Sequence, residues 1–224
     1  QDAEQLRVAR LERVRHVLQG DTLEMVFQPI AELASSRVVG VEALARFGRP
    51  PERPANEWFA DAAAVGLGCE LELLAVRRAL EQVEALDPDW FVSVNVSPTT
   101  AVTDSLRTCL GAVSGERVVV ELTEHEQIRD YSAMGPALGA LRREGIRIAA
   151  DDAGAGFAGL QHILRLQPDI VKLDCDITSG IDTDPVRRSL AAALVRFGSE
   201  TGAVLVAEGI ENPAELETLR GIGV

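Results

Sequence analysis

The sequence predicts an α/β protein with the architecture of a (β/α)8 barrel, from which the last strand is missing. Three observations support this prediction. After a two-strand opening, five strand-then-helix units follow one another along the 224 residues. The strand segments, among them VVVEL and DIVKL, are almost continuously apolar, which is typical of a parallel sheet covered on both faces. A doubly wound open sheet is the competing architecture, but its glycine-rich dinucleotide fingerprint does not follow the first strand.

The elements can be assigned in chain order. Residues 1–20 have apolar side chains at helical spacing, which predicts a capping helix or the end of a linker from an upstream domain. Residues 21–224 are predicted to form one domain. Two strands, LEMVFQPI and RVVGVEALARF, are joined by the turn-like AELASS, which predicts a hairpin-like opening. Two helices follow, at NEWFADAAAVG and CELELLAVRRALEQVEAL.

The remaining chain repeats a strand followed by a helix. The pairs are WFVSVNVSP with TDSLRTCLGAV, RVVVELTE with YSAMGPALGALRREG, RIAADDAG with LQHILRLQ, DIVKLD with DPVRRSLAAALVRFGSETG, and AVLVAEGI with NPAELETLRGIG. No low-complexity linker interrupts this pattern, so a single sheet is expected.

Composition narrows the functional classes. With 46% hydrophobic and 25% charged residues, the chain is typical of a soluble globular protein, and no apolar run reaches the ~20 residues of a membrane span. The formal net charge of −13 argues against binding long nucleic acid, although a phosphate-containing ligand is possible if metal ions supply positive charge. The three widely spaced cysteines predict reduced thiols and a cytoplasmic location.

Polar side chains stand at or near the C-terminal ends of six apolar strands. They are Glu42, Asn95, Glu121, Asp151 with Asp152, Lys172, and Glu208. In a barrel these ends converge on one face, where the active sites of this fold are built. A single acid at such a position is more often a solvated loop residue or a helix cap. Six strands with the same placement favour one site.

Converging carboxylates would raise one another's pKa, and divalent cations would remove this penalty. Oxygen ligands suit Mg²⁺ or Mn²⁺ rather than zinc. Neighbouring residues of a strand point to opposite faces, so Asp151 and Asp152 can share metals only where the strand ends. Gly154 and Gly156 permit the turn there, and a site for two metal ions is predicted. A surface turn with an aspartate cap is the alternative.

Lys172 is the only lysine among the 22 lysine and arginine residues. It lies in the apolar segment IVKL, where a structural lysine would be poorly placed. A compact ammonium beside the metals would explain why this position carries lysine rather than arginine, because the wider guanidinium would not substitute for it. The alternative is a lysine whose charged end reaches solvent at the strand end.

The segment VEALARF resembles the signature of the EAL domain family of cyclic di-GMP phosphodiesterases. The segments FQPI, NVSP, ELTE, DDAGAGFAGL, IVKLD and VAEGIE match in order, so that the resemblance runs from about Asp21 to the end of the chain. It implies a modified (β/α)8 barrel whose first strand is antiparallel, and hydrolysis of cyclic di-GMP to linear pGpG. It also implies a homodimer and, with the opening helix, an output domain attached to an upstream sensory or regulatory domain.

The resemblance assigns metal ligands by position. Glu42, Asn95, Glu121 and Asp151 match the ligands of one metal, and Asp151 with Asp152 those of the second. Two ions, Mg²⁺ or Mn²⁺, are therefore expected, with Asp152 also counted among the catalytic residues.

Other matched positions concern water and substrate. Lys172 and Glu208 match residues that position and activate the attacking water, and Arg46 matches an arginine that grips a substrate phosphate. Gln28 matches a substrate-contacting position. Glu124 matches an acid that anchors the mobile loop after Asp152.

Two departures from the family pattern are present. Ala153 stands where an aromatic is frequent and Ala155 where threonine is frequent, and both departures concern the ordering of the loop rather than the metal ligands. The alternative function is a non-hydrolysing cyclic di-GMP receptor or a protein-interaction module. Because all the metal-ligand positions carry the matching residues, hydrolysis is the favoured prediction.

Overall fold

The structure is a computed structural model that describes residues 2–20, 22–48, 53–123, 131–151 and 163–224. The strands are β1 (Leu23–Ala31), β2 (Val38–Phe47), β3 (Phe91–Val96), β4 (Val118–Leu122), β5 (Arg147–Ala150), β6 (Ile170–Leu173) and β7 (Val204–Ala207). The helices are α1 (Asp2–Gln19), α2 (Ala55–Ala64), α3 (Gly68–Leu80), α4 (Pro98–Ala101), α5 (Asp104–Leu110), α6 (Tyr131–Arg143), α7 (163–166), α8 (Cys175–Thr178), α9 (Pro185–Thr201) and α10 (Pro213–Ile222). None of these helices is both long and apolar enough to cross a bilayer.

The described strands form one curled sheet of seven, ordered β1 to β7 as in the sequence. β1 pairs antiparallel with β2, and every later pair is parallel. A doubly wound sheet would reverse its strand order near the middle, and this sheet does not. The predicted barrel-like architecture with seven strands and an antiparallel first strand is confirmed.

The helix predicted up to residue 86 is shorter in the structure. α3 ends at Leu80, and Gln82 N donates to Ala79 O at 3.2 Å, which tightens the chain into the 3₁₀ turn Val83–Ala85. Val83 is 2% exposed and joins the core below the sheet. Burial of this side chain, which helical periodicity alone does not reveal, explains the early end of the helix.

The two faces of the sheet have different environments. On the outer face, Val92, Val94, Val118 and Val120 pack against the surrounding helices. On the inner face a small apolar floor is formed by Phe91, Val119, Ala149, Ile170 and Val206. Because side chains alternate along a strand, the inward-facing residues that come after this floor on each strand lie nearer the C-terminal mouth of the barrel.

Helix α1 is held against the barrel by an acid on α2. Asp61, whose side chain is 7% exposed, pairs with Arg10 at 2.8 Å, Arg13 at 2.8 Å and Arg53 at 2.9 Å. Val14 of α1 is fully buried in the adjoining apolar cluster. Helix α1 thus packs on the domain, while the boundary at residue 20 stays a prediction.

The Asp61→Asn variant is expected to lower the free energy of unfolding at pH 7 by about 2 kcal/mol, because it removes the charge shared by three guanidinium groups. Burial acts to raise the pKa of Asp61, but hydrogen bonds from Arg13 and Arg53 outweigh it and hold that pKa below its ordinary value. An acid whose pKa is lowered by folding stabilises the protein above its unfolded pKa, and this stabilisation is lost as the pH falls through the folded pKa. The deficit of the variant should therefore shrink between about pH 4 and about pH 2.

Urea unfolding at both ends of this pH range measures the deficit. Glu57→Gln is the matched control, because Glu57 lies on the same helix and pairs with Arg53 at 2.9 Å, but its side chain is 50% exposed. Its effect should stay below about 0.5 kcal/mol. A deficit of Asp61→Asn that persists undiminished in acid would contradict the assignment.

Candidate active site

Four acids surround one lysine at the C-terminal mouth of the barrel. Lys172 Nζ lies 3.3 Å from Glu42 Oε2, 3.5 Å from Asp151 Oδ1 and 2.5 Å from Glu208 Oε1, and it also contacts Glu121 Oε1. We call these four acids and Lys172 the carboxylate cluster. The Lys172 side chain is only 5% exposed. Residues separated by up to 166 positions in the chain are thus brought into one ion-pair network.

Strand register explains why these side chains meet. Glu121 on β4 is directly opposite Asn95 on β3, and Lys172 on β6 is directly opposite Val206 on β7. Glu208 follows Val206 by two residues, so the alternation predicts the same face for both, just beyond the strand end. The strand ends therefore bring the cluster and Asn95 together at the mouth of the barrel, where the sequence placed Glu42, Asn95, Glu121, Asp151, Lys172 and Glu208.

Two neutral side chains donate hydrogen bonds to acids of the cluster. Asn95 Nδ2 donates a hydrogen bond to Glu42 Oε1 at 2.9 Å. Ser93 Oγ donates to Glu121 Oε2 at 3.0 Å. Sequence reasoning missed Ser93. The available signal was its position two residues before Asn95, which places both on the same face of β3.

Burial dominates the electrostatics of Glu121, which is 1% exposed. Burial raises its pKa to about 8, the Lys172 ammonium opposes this, and the neighbouring Glu42 and Asp151 act in the same direction as burial. Burial likewise raises the pKa of Glu208 against the opposing charge of Lys172. Both acids therefore hold their protons to a higher pH than an exposed glutamate does.

Lys172 remains charged despite its burial. Burial acts to lower its pKa, but the four carboxylates, Glu121 most strongly, together raise it above the ordinary lysine value. One ammonium offsets a single carboxylate charge, so the cluster favours further positive charge when its acids are ionised. This is the electrostatic character expected of a cation site.

The donor chemistry of the mouth fits a hard divalent cation. Glu42, Glu121 and Asp151 supply carboxylate oxygens, and the amide of Asn95 carries a further oxygen, which are the ligand types of Mg²⁺ and Mn²⁺. Within the described residues, no three acids, histidines or cysteines are arranged so as to hold an ion by themselves. The carboxylates are instead oriented toward the ammonium of Lys172.

The two residues predicted to bind substrate, Arg46 and Gln28, are not members of the carboxylate cluster. Arg46 is exposed on β2, and its guanidinium donates to the Ala45 carbonyl at 2.9 Å. Gln28 is exposed on β1 directly opposite Glu42, and partners across an antiparallel pair share a face. Asp152 and Glu124 lie outside the described residues, so their predicted roles are untested.

A cavity of about 580 Å³ lies beside the cluster, between β2 and β3 on one side and α2 and α3 on the other. Met25, Phe59 and Val76 give it apolar walls, whereas Arg46 and Asn95 contribute polar atoms. The cavity therefore offers an apolar recess next to a group of acids and one exposed cation, which suits a ligand with both a flat apolar part and an anionic part.

Comparison with known proteins connects this site to a family. A family model described as EAL domain matches residues 11–224. An uncharacterized protein of Mycobacterium tuberculosis is 32% identical over 222 residues, which cover 89% of this chain and 70% of that protein. The cyclic di-GMP phosphodiesterase NbdA of Pseudomonas aeruginosa is 28% identical, with coverage of 93% of this chain and 28% of that protein.

A solved structure has the same fold with ligands bound. The calcium and cyclic di-GMP complex of Klebsiella pneumoniae BlrP1 superposes with a TM-score of 0.81 at 30% identity and covers 92% of this chain. The chain spans only 53% of that BlrP1 chain. The same Klebsiella protein is also matched as a complex with manganese and cyclic di-GMP.

Proposed function

The chain belongs to the EAL domain family, and we propose that it hydrolyses cyclic di-GMP to linear pGpG with the help of divalent cations. The observation that carries this proposal is the carboxylate cluster, in which four acids from separate parts of the chain meet at the barrel mouth. The relative NbdA, named as a cyclic di-GMP phosphodiesterase, and the BlrP1 complexes with cyclic di-GMP support the choice of substrate.

We propose that Glu42, Asn95, Glu121 and Asp151 hold one Mg²⁺ or Mn²⁺ ion, and that Asp151 with Asp152 holds a second. Calcium and manganese in the BlrP1 complexes support the use of divalent cations. When bound, such ions would lower the pKa of water and stabilise charge on the attacking and leaving oxygens. The protein contributes the oxygen donors and the buried, low-dielectric surroundings in which these charges interact strongly.

Other side chains would act on water and substrate. Lys172 and Glu208, whose Nζ and Oε1 atoms are 2.5 Å apart, would orient the attacking water, with Glu208 accepting its proton. Arg46 would bind a phosphate oxygen and Gln28 would contact the substrate. The cavity beside Asn95 would take one guanine base, because it combines apolar walls with polar atoms at one end. Glu124 would anchor the loop that follows Asp152.

We also propose that this domain acts as a homodimeric output module in the cytoplasm, attached to an upstream sensory or regulatory domain and ending a second-messenger signal. Attachment to a further domain is supported by the coverage of two relatives: the chain spans 53% of the matched BlrP1 chain and 28% of NbdA, so both relatives contain further sequence. Sedimentation velocity of the chain with and without cyclic di-GMP tests the dimer.

The direct test incubates the chain with cyclic di-GMP in Mn²⁺, in Mg²⁺ and in EDTA, with separation of the nucleotides by liquid chromatography. Formation of pGpG in either metal and its absence in EDTA are expected. Intact cyclic di-GMP in all three conditions, together with measurable binding of the nucleotide, would contradict hydrolysis.

A non-hydrolysing cyclic di-GMP receptor is the second candidate. The observation that favours it is the close pairing of Lys172 with the acids, which already supplies a positive charge to the mouth. A receptor should bind cyclic di-GMP equally well in EDTA and in Mn²⁺ and should not bind Mn²⁺ at the cluster. An enzyme should bind Mn²⁺ and release pGpG.

A further inference from the structure

Ser93 introduces a hydroxyl near the apolar floor of the barrel. It lies on β3 between Phe91 of the floor and Asn95 of the mouth, and it is 2% exposed. Across the sheet it is in register with Val119 on β4, one of the floor residues. A hydroxyl buried at such a position lowers stability unless it makes a hydrogen bond.

The hydroxyl of Ser93 bonds to an acid of the cluster. Ser93 Oγ donates to Glu121 Oε2 at 3.0 Å. Glu121 follows Val119 by two residues and therefore faces the interior one step nearer the mouth, so the hydrogen bond runs diagonally from β3 to β4. Both partners are almost fully buried, at 2% and 1% exposure, which protects the bond from competition with water.

The two oxygens of Glu121 consequently have different partners. Oε2 accepts from Ser93, whereas Oε1 contacts the ammonium of Lys172. The hydrogen bond from Ser93 to Oε2 restricts the rotation of the Glu121 carboxylate, so that Oε1 is directed into the mouth. Hydrogen bonds of this kind to metal ligands typically change metal affinity by about 10-fold to 100-fold when they are removed.

We propose that Ser93 is a positioning residue, whose hydrogen bond orients Glu121 to ligate a divalent cation at the barrel mouth. This inference rests on the proposed function, because it takes Glu121 as a metal ligand. Ser93 itself touches neither cation nor substrate in this role and acts only through Glu121.

Calorimetric titration of the chain with Mn²⁺ alone tests the proposal. Ser93→Ala is expected to weaken Mn²⁺ binding about 10-fold. Ser93→Thr retains the hydroxyl, so its Mn²⁺ affinity should stay within about threefold of that of the wild type. If the effect of Ser93→Ala came from altered packing rather than from the lost hydroxyl, Ser93→Thr would weaken binding as well. The half-saturating Mn²⁺ concentration for pGpG formation should shift by the same factor as the affinity.

Thr100→Val is the matched control. Thr100 is fully buried and its hydroxyl accepts from Ser97 at 3.2 Å, so the variant removes a buried hydroxyl outside the cluster. Its affinity for Mn²⁺ should equal that of the wild type. Circular dichroism of every variant establishes that each one is folded under the titration conditions.

Equal Mn²⁺ affinities of the wild type and Ser93→Ala would overturn the role of Ser93 and leave the proposed function standing. Equal losses in Ser93→Ala and Ser93→Thr would also overturn it, because the hydroxyl would then be irrelevant. A wild-type chain that binds no Mn²⁺ would overturn both the role of Ser93 and the metal dependence of the proposed function.

Discussion

Replacing Glu121 with glutamine is expected to slow cyclic di-GMP hydrolysis at least about 100-fold, the loss typical for one charge-stabilising group at a reaction centre. Glutamine keeps the size of the side chain and still accepts a hydrogen bond from Ser93. It removes the negative charge that Lys172 contacts and that a cation would bind. The rate of pGpG formation in saturating Mn²⁺ measures the effect.

The control for this prediction is Glu116→Gln. Glu116 is exposed in the 3₁₀ turn immediately before β4, at the opposite end of the same strand from the mouth. The control should hydrolyse cyclic di-GMP at the wild-type rate. Wild-type turnover by Glu121→Gln would remove Glu121 from the site.

Replacing Lys172 with methionine is expected to lower the free energy of unfolding in EDTA by about 3–5 kcal/mol, because it leaves buried acids without their partner. The effect should depend on pH. The pKa values of Glu121 and Glu208 are already raised by burial, and loss of the ammonium raises them further. While Glu121 is protonated in both folded proteins, both lose stability equally as the pH rises. Above its wild-type folded pKa of about 8 only the variant continues to lose stability, so the deficit should grow from about pH 8 to about pH 10.

Urea unfolding of the wild type and Lys172→Met across this pH range measures the deficit. Arg143→Met is the matched control, because it exchanges an exposed cation at the end of α6 for the same side chain and should change stability by less than about 0.5 kcal/mol. Mn²⁺ should restore part of the stability of Lys172→Met by binding the ionised acids. A deficit that shrinks as the pH rises would contradict the described role of Lys172.

Much of the candidate site could be predicted from strand patterns. Glu42, Asn95 and Glu121 each stand at or near the end of an apolar strand. Two rules suffice to predict their positions, namely the alternation of side chains along a strand and the convergence of parallel strand ends in a barrel. The sequential strand order followed in the same way from the repeated strand-then-helix units. The antiparallel first strand was indicated by the hairpin-like opening, in which the short turn AELASS joins the first two strands, and was also implied by the family resemblance.

Contacts that depend on packing across the molecule could not be predicted. The hydrogen bond from Ser93 to Glu121 depends on the register between β3 and β4, which a single sequence does not specify. The pairing of Arg10 and Arg13 with Asp61 depends on how α1 packs against α2. Lys172 was expected beside metal ions, and in the structure its ammonium contacts four acids directly, an arrangement set by the curvature of the whole sheet.

The most direct measurement of the central claim is anomalous X-ray scattering at the manganese edge, from crystals grown with Mn²⁺ and cyclic di-GMP near neutral pH. We expect anomalous peaks within bonding distance of the carboxylate oxygens of Glu42, Glu121 and Asp151, with the nucleotide phosphate beside them. Crystals in which this mouth contains only solvent, and in which Lys172 is still the partner of all four acids, would contradict the claim.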